Sequence, residues 1–244
     1  GLGVPAGHAA LVAVGAGTDA AGGVYILGAA LPASATFERA AGVGGLTVQA
    51  GMEGALYKLD AQGGNVWSRR WSGTGGVLGR AVAVGAGSVL VAGNYRGEVD
   101  ADPGAGERVL GTEGGVEGFV VKVDVAGAYG WSHRFGGSGA EALTSVAVDE
   151  RGGVYVGGMF HGEVDFDPGS GTAKQVANGG GEEGFVVKLE STGAYVWSKV
   201  FGGAADDHVQ SVAVDRTGDV YLGGYYAGVV DFDPGMGEAV YASS

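Results

Sequence analysis

The chain has 244 residues, of which 54 are Gly, 5 are Pro and none is Cys, and 45 % of the residues are hydrophobic. This apolar content can offset the conformational entropy of ordering the chain, so the glycines indicate turns between short strands rather than disorder. A formal net charge of −13 repels phosphate backbones and anionic headgroups, and no apolar run approaches the roughly 20 residues that span a bilayer. We therefore expect no nucleic-acid partner and no membrane insertion.

The chain repeats itself with a period of roughly 65 residues. The segment EGALYKLD from Glu53 returns as EGFVVKVD from Glu117 and as EGFVVKLE from Glu183, and each copy precedes a Trp-Ser pair. The segment SVAVDERGGVYVGG from Ser145 likewise matches SVAVDRTGDVYLGG from Ser211. This self-similarity predicts a divergent first repeat (1–76), a second (77–139), a third (140–205) and an incomplete fourth (206–244).

Four strands are predicted in each complete repeat. In the third repeat they are Thr144–Val148, Gly153–Phe160, Gly184–Leu189 and Ala194–Phe201. Neighbouring positions such as Val154-Tyr155-Val156 are all apolar, which indicates sheets covered on both faces. The sequence therefore predicts an all-β fold, a β-propeller of about three and a half four-stranded blades. An array of β-sandwiches is the competing architecture.

The pattern VAVDxxGxVYVxG, followed by GFVVKLD-like and YVWSxxFGG-like strands, resembles the bacterial seven-bladed β-propeller repeat of large secreted and surface-attached proteins. The resemblance is strongest from Gly118 to Asp233 and departs at Val82–Gly87, where Gly85 replaces an Asp and the turn is one residue shorter. It implies a propeller and an extracellular or cell-surface location. It implies no particular activity, because propellers host many unrelated functions.

Each repeat also carries an acidic insertion, GEVDADPG from Gly97, GEVDFDPG from Gly162 and GVVDFDPG from Gly228. Alternation along a strand places the acids on one face and residues such as Val164 and Phe166 on the other. The carboxylates could protect an exposed strand edge, or they could supply hard oxygen ligands to Ca²⁺, the one cofactor considered. The candidate metal ligands are Asp100, Asp102, Asp165, Asp167, Asp231 and Asp233.

No catalytic residue is assigned from the sequence. The four histidines, His8, His133, His161 and His208, occupy non-equivalent repeat positions without metal-ligand spacing. The acidic cluster Asp206-Asp207-His208 is interpreted as capping a loop. The repeated Trp67, Trp131 and Trp197 are interpreted as packing between blades rather than as a ligand platform.

These features predict a non-catalytic scaffold or interaction module of a bacterial secreted or cell-surface protein. Two alternatives are a structural subunit of an extracellular assembly and a polysaccharide-active hydrolase that uses Asp207 and Glu141. The expected partners are other blades of a parent chain, a partner protein or a carbohydrate. The chain begins at Gly1 without a Met, and its fourth repeat stops before the third strand. We therefore expect a piece of a longer product that does not close into a ring by itself.

Overall fold

The computed structural model describes residues 11–30, 35–37, 46–48, 53–113, 115–177, 180–233, 237 and 239–243, which form β-strands and loops and no helix. In chain order the strands are β1 (Leu11–Thr18), β2 (Val24–Ala30), β3 (Ala35–Phe37), β4 (Leu46–Val48), β5 (Glu53–Leu59), β6 (Asn65–Trp71), β7 (Val77–Gly85), β8 (Ser88–Tyr95), β9 (Val99–Asp100), β10 (Val109–Leu110), β11 (Glu117–Asp124), β12 (Tyr129–Phe135), β13 (Glu141–Val148), β14 (Val154–Phe160), β15 (Glu163–Asp165), β16 (Lys174–Val176), β17 (Glu183–Leu189), β18 (Tyr195–Phe201), β19 (His208–Val214), β20 (Val220–Tyr225), β21 (Val229–Asp231) and β22 (Val240–Ala242).

Three repeats each form a four-stranded antiparallel sheet. Their strand orders are β1-β2-β5-β6, β7-β8-β11-β12 and β13-β14-β17-β18, and β19 pairs with β20 in a fourth sheet. The first strands of successive sheets contact one another, as the innermost strands of propeller blades do. The all-β propeller fold expected from the sequence is confirmed, whereas the expectation that the chain does not close by itself stays a prediction.

The apolar core lies between adjacent sheets. Along β8, Val89 and Val91 face the core shared with the first sheet, while Leu90 and Ala92 face the core shared with the third sheet. Successive side chains of a strand point to opposite faces, so a strand inside a stack of sheets needs apolar residues at every position. The predicted burial of both faces is therefore confirmed.

The acidic insertions form short hairpins that follow the second strand of their repeats: β9–β10, β15–β16 and β21–β22. In the first repeat, β3–β4 forms a hairpin at the same place without the acidic motif. In the third repeat Val164 and Phe166 are fully buried while Glu163 is exposed, so the expected apolar and acidic faces are confirmed. Isolated bridges join Gly73 to Val99 and Gly137 to Val164, which attaches the hairpins of the second and third repeats to the loops that lead into those repeats.

The turn of the second repeat is short because it uses two left-handed residues. Gly85 pairs with Ser88 across the turn, and the residues between them, Ala86 and Gly87, have φ angles of 48° and 72°. Such a two-residue turn matches the twist of a β-hairpin. In the third repeat, Asp149 instead accepts hydrogen bonds from the amides of Arg151 and Gly153.

Candidate functional site at the blade junctions

Two equivalent polar pockets lie where the last strand of one sheet meets the inserted hairpin of the next. The first pocket, of about 520 Å³, lies at the first junction, between the first and second sheets; its lining includes Ser68, Arg70, Asp100, Asp102 and Pro103. The second, of about 260 Å³, lies at the second junction, between the second and third sheets; the equivalent residues of its lining are Ser132, Arg134, Asp165, Asp167 and Pro168. The repeat therefore places four of the six predicted metal ligands in matching pockets.

An arginine lies beside a glutamate at each of these pockets. In the first, Arg70 Nη1 lies 3.9 Å from Glu53 Oε2. In the second, Arg134 Nη1 lies 3.7 Å from Glu117 Oε2, and its Nη2 contacts Glu113 Oε1 at 2.7 Å. Both pockets thus combine a fixed cation with carboxylates and hydroxyl groups, a set that hydrogen-bonds polar ligands.

The glutamate at the start of the third strand is buried, which is unusual for this residue type. Glu117 is 0 % exposed. Its Oε1 accepts hydrogen bonds from the Thr112 hydroxyl and the Glu113 amide, both at 3.0 Å. Its Oε2 has no hydrogen-bond partner and lies beside Arg134. The EGFVVK motif therefore begins with an acid that fixes the preceding loop.

A second buried acid follows across the second junction. Glu141 is 0 % exposed, and its Oε2 accepts a hydrogen bond from the Gly137 amide at 3.2 Å. Burial, together with the charge of the neighbouring Glu117, raises the pKa of Glu141 to about 7. The second junction thus contains two acids whose negative charges repel each other.

The third junction, between the third and fourth sheets, repeats this pairing. A methyl group added at Gly202 would lie 2.5 Å from Glu183 Oε2 and 3.1 Å from Asp207 Oδ2, so the two carboxylates flank the same backbone. Asp207 Oδ2 accepts a hydrogen bond from the Gly203 amide at 2.8 Å, and its Oδ1 accepts one from Ala227 at 3.0 Å. The predicted loop-capping role of Asp207 is confirmed.

Burial also limits the chemistry of these acids. Glu141 and Asp207, the residues that a hydrolase would use, are 0 % and 2 % exposed. Glycoside hydrolysis requires two carboxyl groups that flank the bond to be broken. Glu141 is closed within its junction, and Asp207, at the wall of the cavity beside β20, has both oxygens bonded to loop amides, so both residues act here on loops.

The predicted metal ligands hold their hairpins together through backbone amides. Asp100 Oδ1 accepts hydrogen bonds from the amides of Asp102 and Arg108. Asp165 Oδ1 accepts the equivalent pair from Asp167 and Ala173. This turn-forming role stands beside the two roles that the sequence suggested, and it explains why Asp recurs at this position.

The third insertion repeats the same geometry in a different setting. Asp231 Oδ1 accepts hydrogen bonds from the amides of Asp233 and Ala239 at 2.9 and 2.8 Å. Val200 stands where the first two repeats have Arg70 and Arg134, so this copy lacks the fixed cation. Among the residues that the structure describes, no three acidic or histidine side chains are grouped to hold a metal ion. The calcium site stays a prediction.

A tryptophan and a lysine fasten each of the first two junctions. Trp67 Nε1 and Lys58 Nζ donate hydrogen bonds to the Val125 carbonyl of the second sheet, at 3.2 and 2.9 Å. Trp131 Nε1 and Lys122 Nζ donate to the Ser191 carbonyl of the third sheet, at 3.1 and 2.7 Å. We refer to each Trp-Lys pair with its carbonyl as a clasp.

The tryptophan interpretation is thereby confirmed for Trp67 and Trp131. The lysines were missed from the sequence, although Lys58, Lys122 and Lys188 recur at the same position of the EGFVVK segment. A lysine on a predicted strand suggests solvent exposure, whereas here its alkyl stem crosses the sheet face to a carbonyl of the next blade.

The histidines take part in unrelated contacts. His208 contacts Glu182 Oε2 at 2.6 Å and also bonds to the Tyr225 hydroxyl. His133 packs against Trp131, with ring centroids 4.9 Å apart, and burial lowers its pKa. His8 lies outside the described residues.

No family model matches the chain. The chain is similar to an uncharacterized WD repeat-containing protein of Acanthamoeba polyphaga mimivirus, with 27 % identity over 58 % of this chain and 12 % of that protein. WD repeats build propeller blades of four strands, so the similarity agrees with the sheet order of the structure. In the described part of the chain, no helix is long and apolar enough to cross a membrane.

Proposed function

We propose that the chain is a non-catalytic β-propeller scaffold or interaction module of a bacterial secreted or cell-surface protein. The sheet order and the similarity to a WD repeat-containing protein support the propeller and its use in interactions. The repeat pattern, with its Asp-x-Asp-Pro-Gly insertion, supports the bacterial seven-bladed family and the extracellular location.

The main support for this proposal is that the acids a hydrolase would need are buried and bonded to loop amides, whereas the open pockets present polar groups to a partner. Glu141 and Asp207 are buried and hold loops. The pockets around Arg70 and Arg134 instead present hydroxyl, guanidinium and carboxylate groups. These groups suit a polar partner, either a carbohydrate or a polar protein segment.

The first experiment tests for catalysis. The purified chain is incubated with a panel of polysaccharides, and we expect no turnover from the parent. Asp207→Asn serves as the variant in the buried acid, and Asp206→Asn, at an exposed neighbour, is the matched control. Turnover that is lost in Asp207→Asn and kept in Asp206→Asn would overturn the proposal in favour of the hydrolase.

The second experiment tests binding on a glycan array. If the junction pockets bind a carbohydrate, the double variant Arg70→Ala and Arg134→Ala should lose the signal by about tenfold or more. Arg151→Ala, an exposed arginine outside both pockets, is the control. Equal loss in the control would assign the signal to overall charge, and the pockets would then have no role in it.

A structural subunit of an extracellular assembly is the second candidate function. Exposed apolar side chains on the last repeat favour it, among them Tyr221, Val229 and Tyr241. Sedimentation of the purified chain tests it, because discrete rings or fibres would support assembly. A single monomeric species at all concentrations would contradict it.

A further inference from the structure

The second strand of the fourth repeat is exposed, although its counterpart in the third repeat is buried. β14 and β20 share the pattern Val-Tyr-x-Gly-Gly. Tyr155 of β14 is 0 % exposed, whereas Tyr221 of β20 is 60 % exposed. Tyr155 packs in a core with Val209 and Val212 of the fourth sheet, and no described residue covers Tyr221 in the same way. β14 also pairs with both β13 and β17, while β20 pairs only with β19 among the described strands.

A preformed aromatic slot lies beside this strand. A cavity of about 480 Å³ is lined by Leu222, Tyr226, Val230 and Phe232, among others. The rings of Tyr226 and Phe232 meet edge to face, with centroids 5.1 Å apart and an interplanar angle of 85°. Two rings of an aromatic cluster are therefore already in place.

The third repeat shows what fills the equivalent slot. The counterparts of Tyr226 and Phe232, Phe160 and Phe166, have centroids 5.4 Å apart at 83°, which is nearly the same geometry. A third ring, Phe185 of β17, lies 6.1 Å from Phe160 and 4.6 Å from Phe166. The slot beside β20 thus has the shape that a phenylalanine fills one repeat earlier.

A second feature of β20 favours binding of a cation beside Tyr221. In the first repeat, Lys58 Nζ lies 5.1 Å above the Tyr25 ring and 3.2 Å from Asp19 Oδ2. In the last repeat, Tyr221 donates its hydroxyl hydrogen bond to Asp215 Oδ2 at 3.1 Å. Hydrogen bonds from Thr217 and from the Asp219 amide lower the pKa of Asp215 to about 2, so this carboxylate stays charged. An exposed tyrosine ring beside a carboxylate attracts a lysine.

We propose that β20 binds an additional antiparallel strand of the Glu-Gly-Phe-Val-Val-Lys-Leu pattern, which adds to the sheet edge. In the register of β14 and β17, Gly158 faces Phe185 and Tyr155 faces Lys188. The equivalent register places the incoming phenylalanine opposite Gly224, in the slot, and the incoming lysine at Tyr221 and Asp215. Main-chain hydrogen bonds supply affinity and the two side chains supply specificity.

The occupant is a partner segment of this repeat pattern rather than a strand of a second folded copy. The chain's own strands of this pattern, β5, β11 and β17, are each paired on both edges. A second copy could donate one of them only by opening a complete sheet. This strand site deepens the proposed interaction function and rests on it.

The test uses the full chain and a fluorescent peptide with the sequence of residues 181–203, which carries the third and fourth strands of a repeat. We expect saturable binding and slower amide hydrogen exchange at 220–225. Phe185→Ala in the peptide should weaken binding by about tenfold or more. Lys188→Glu in the peptide should weaken it several-fold with the parent chain but not with Asp215→Asn. A scrambled peptide is the control.

Binding that is indifferent to Phe185→Ala, or that leaves exchange at 220–225 unchanged, would overturn the strand site. Dimerisation of the chain that Leu222→Lys abolishes, with no binding of the peptide, would also overturn it, since a second copy would then be the occupant. Leu222→Lys, checked for an unchanged melting curve, should abolish peptide binding. A failed strand site with intact glycan binding and no turnover would leave the proposed function standing, whereas turnover lost in Asp207→Asn would reject the proposed function itself.

Discussion

The first and second junctions each contain a clasp, but they differ in the acids near their polar pockets. Trp67 and Lys58 hold one carbonyl, and Trp131 and Lys122 hold the equivalent carbonyl one repeat later. At the polar end of the first junction, Glu53 has no acidic counterpart, because the fully buried Val77 stands where Glu141 stands in the next repeat. The repeat thus keeps the contact that joins blades and varies the charge beside it.

This difference has an energetic consequence. A buried acid next to another acid favours its neutral form, so its protonation is coupled to folding. The second junction contains such a pair, Glu117 and Glu141, and burial raises the pKa of Glu141 to about 7. We therefore expect the tryptophans of the two clasps to contribute equally to stability, and pH to affect the stability of the second junction.

The largest expected effect comes from removing the shared clasp. Trp131→Ala and Trp67→Ala should each lower the free energy of unfolding by about 3 kcal/mol, because each leaves a cavity between blades and removes one of the two hydrogen bonds to the clasp carbonyl. Denaturant unfolding measures both values. Trp131→Phe and Trp67→Phe, which keep most of the packing, should cost about 1 kcal/mol.

A clearly smaller cost for one tryptophan would break the equivalence of the two junctions. If either alanine variant were as stable as the parent and lost a carbohydrate or peptide ligand instead, the tryptophan would be a binding platform and not part of a clasp.

The next effect should appear only at the second junction. The folded state raises the Glu141 pKa from 4.5 to about 7, so it binds more protons than the unfolded state between these values. The contribution of Glu141 to the free energy of unfolding is most favourable below pH 4.5 and is lost as the pH rises through 7, by a difference on the order of 3 kcal/mol. Glu141→Gln should therefore gain stability relative to the parent at pH 8, and unfolding curves from pH 4.5 to 8 measure this.

Glu107→Gln, an exposed acid of the second repeat, is the matched control and should leave the pH dependence unchanged. Parallel pH profiles for the parent and Glu141→Gln would contradict the assignment of this dependence to the second junction.

A smaller difference should separate the two lysines. Lys122→Met should cost about 1 kcal/mol through the lost hydrogen bond to Ser191. Lys58→Met should cost more, since Lys58 also contacts Asp19 and the Tyr25 ring. In the second repeat, Gly85 and Leu90 replace that Asp and Tyr, so Lys122 has no such contacts there. Equal costs in thermal unfolding would show that the extra contacts contribute nothing, and Asp19→Asn with Lys58→Met tests their coupling.

The strands could be predicted because their residues repeat and their neighbours are local. The third strand of the third repeat was expected at Gly184–Leu189 and is found at Glu183–Leu189. Its first strand begins three residues earlier than expected, at Glu141, since the pairing with β14 continues past an irregularity between Leu143 and Ser145.

The acid pairs could not be predicted in the same way. The sequence marks Glu117 as the start of a motif and Glu141 as a loop acid, but it does not show that the turn at Gly136 and Gly137 brings them together. Full burial of Glu runs against the usual behaviour of the residue, so a surface position was the natural expectation. The clasp lysines were missed for the same reason.

The smallest expected effect concerns calcium, and the third insertion is the place to look for it. In the first two insertions, Arg70 and Arg134 line the pockets together with the aspartates. Their guanidinium charges repel Ca²⁺ and weaken its binding there. Val200 removes that cation beside Asp231 and Asp233. If the motif binds Ca²⁺, millimolar Ca²⁺ should raise the melting temperature by about 1–2 °C over EDTA. Asp231→Asn should remove this shift, and Asp165→Asn should not. Identical curves in Ca²⁺ and EDTA would dispose of the metal site and leave the aspartates with their turn-forming role.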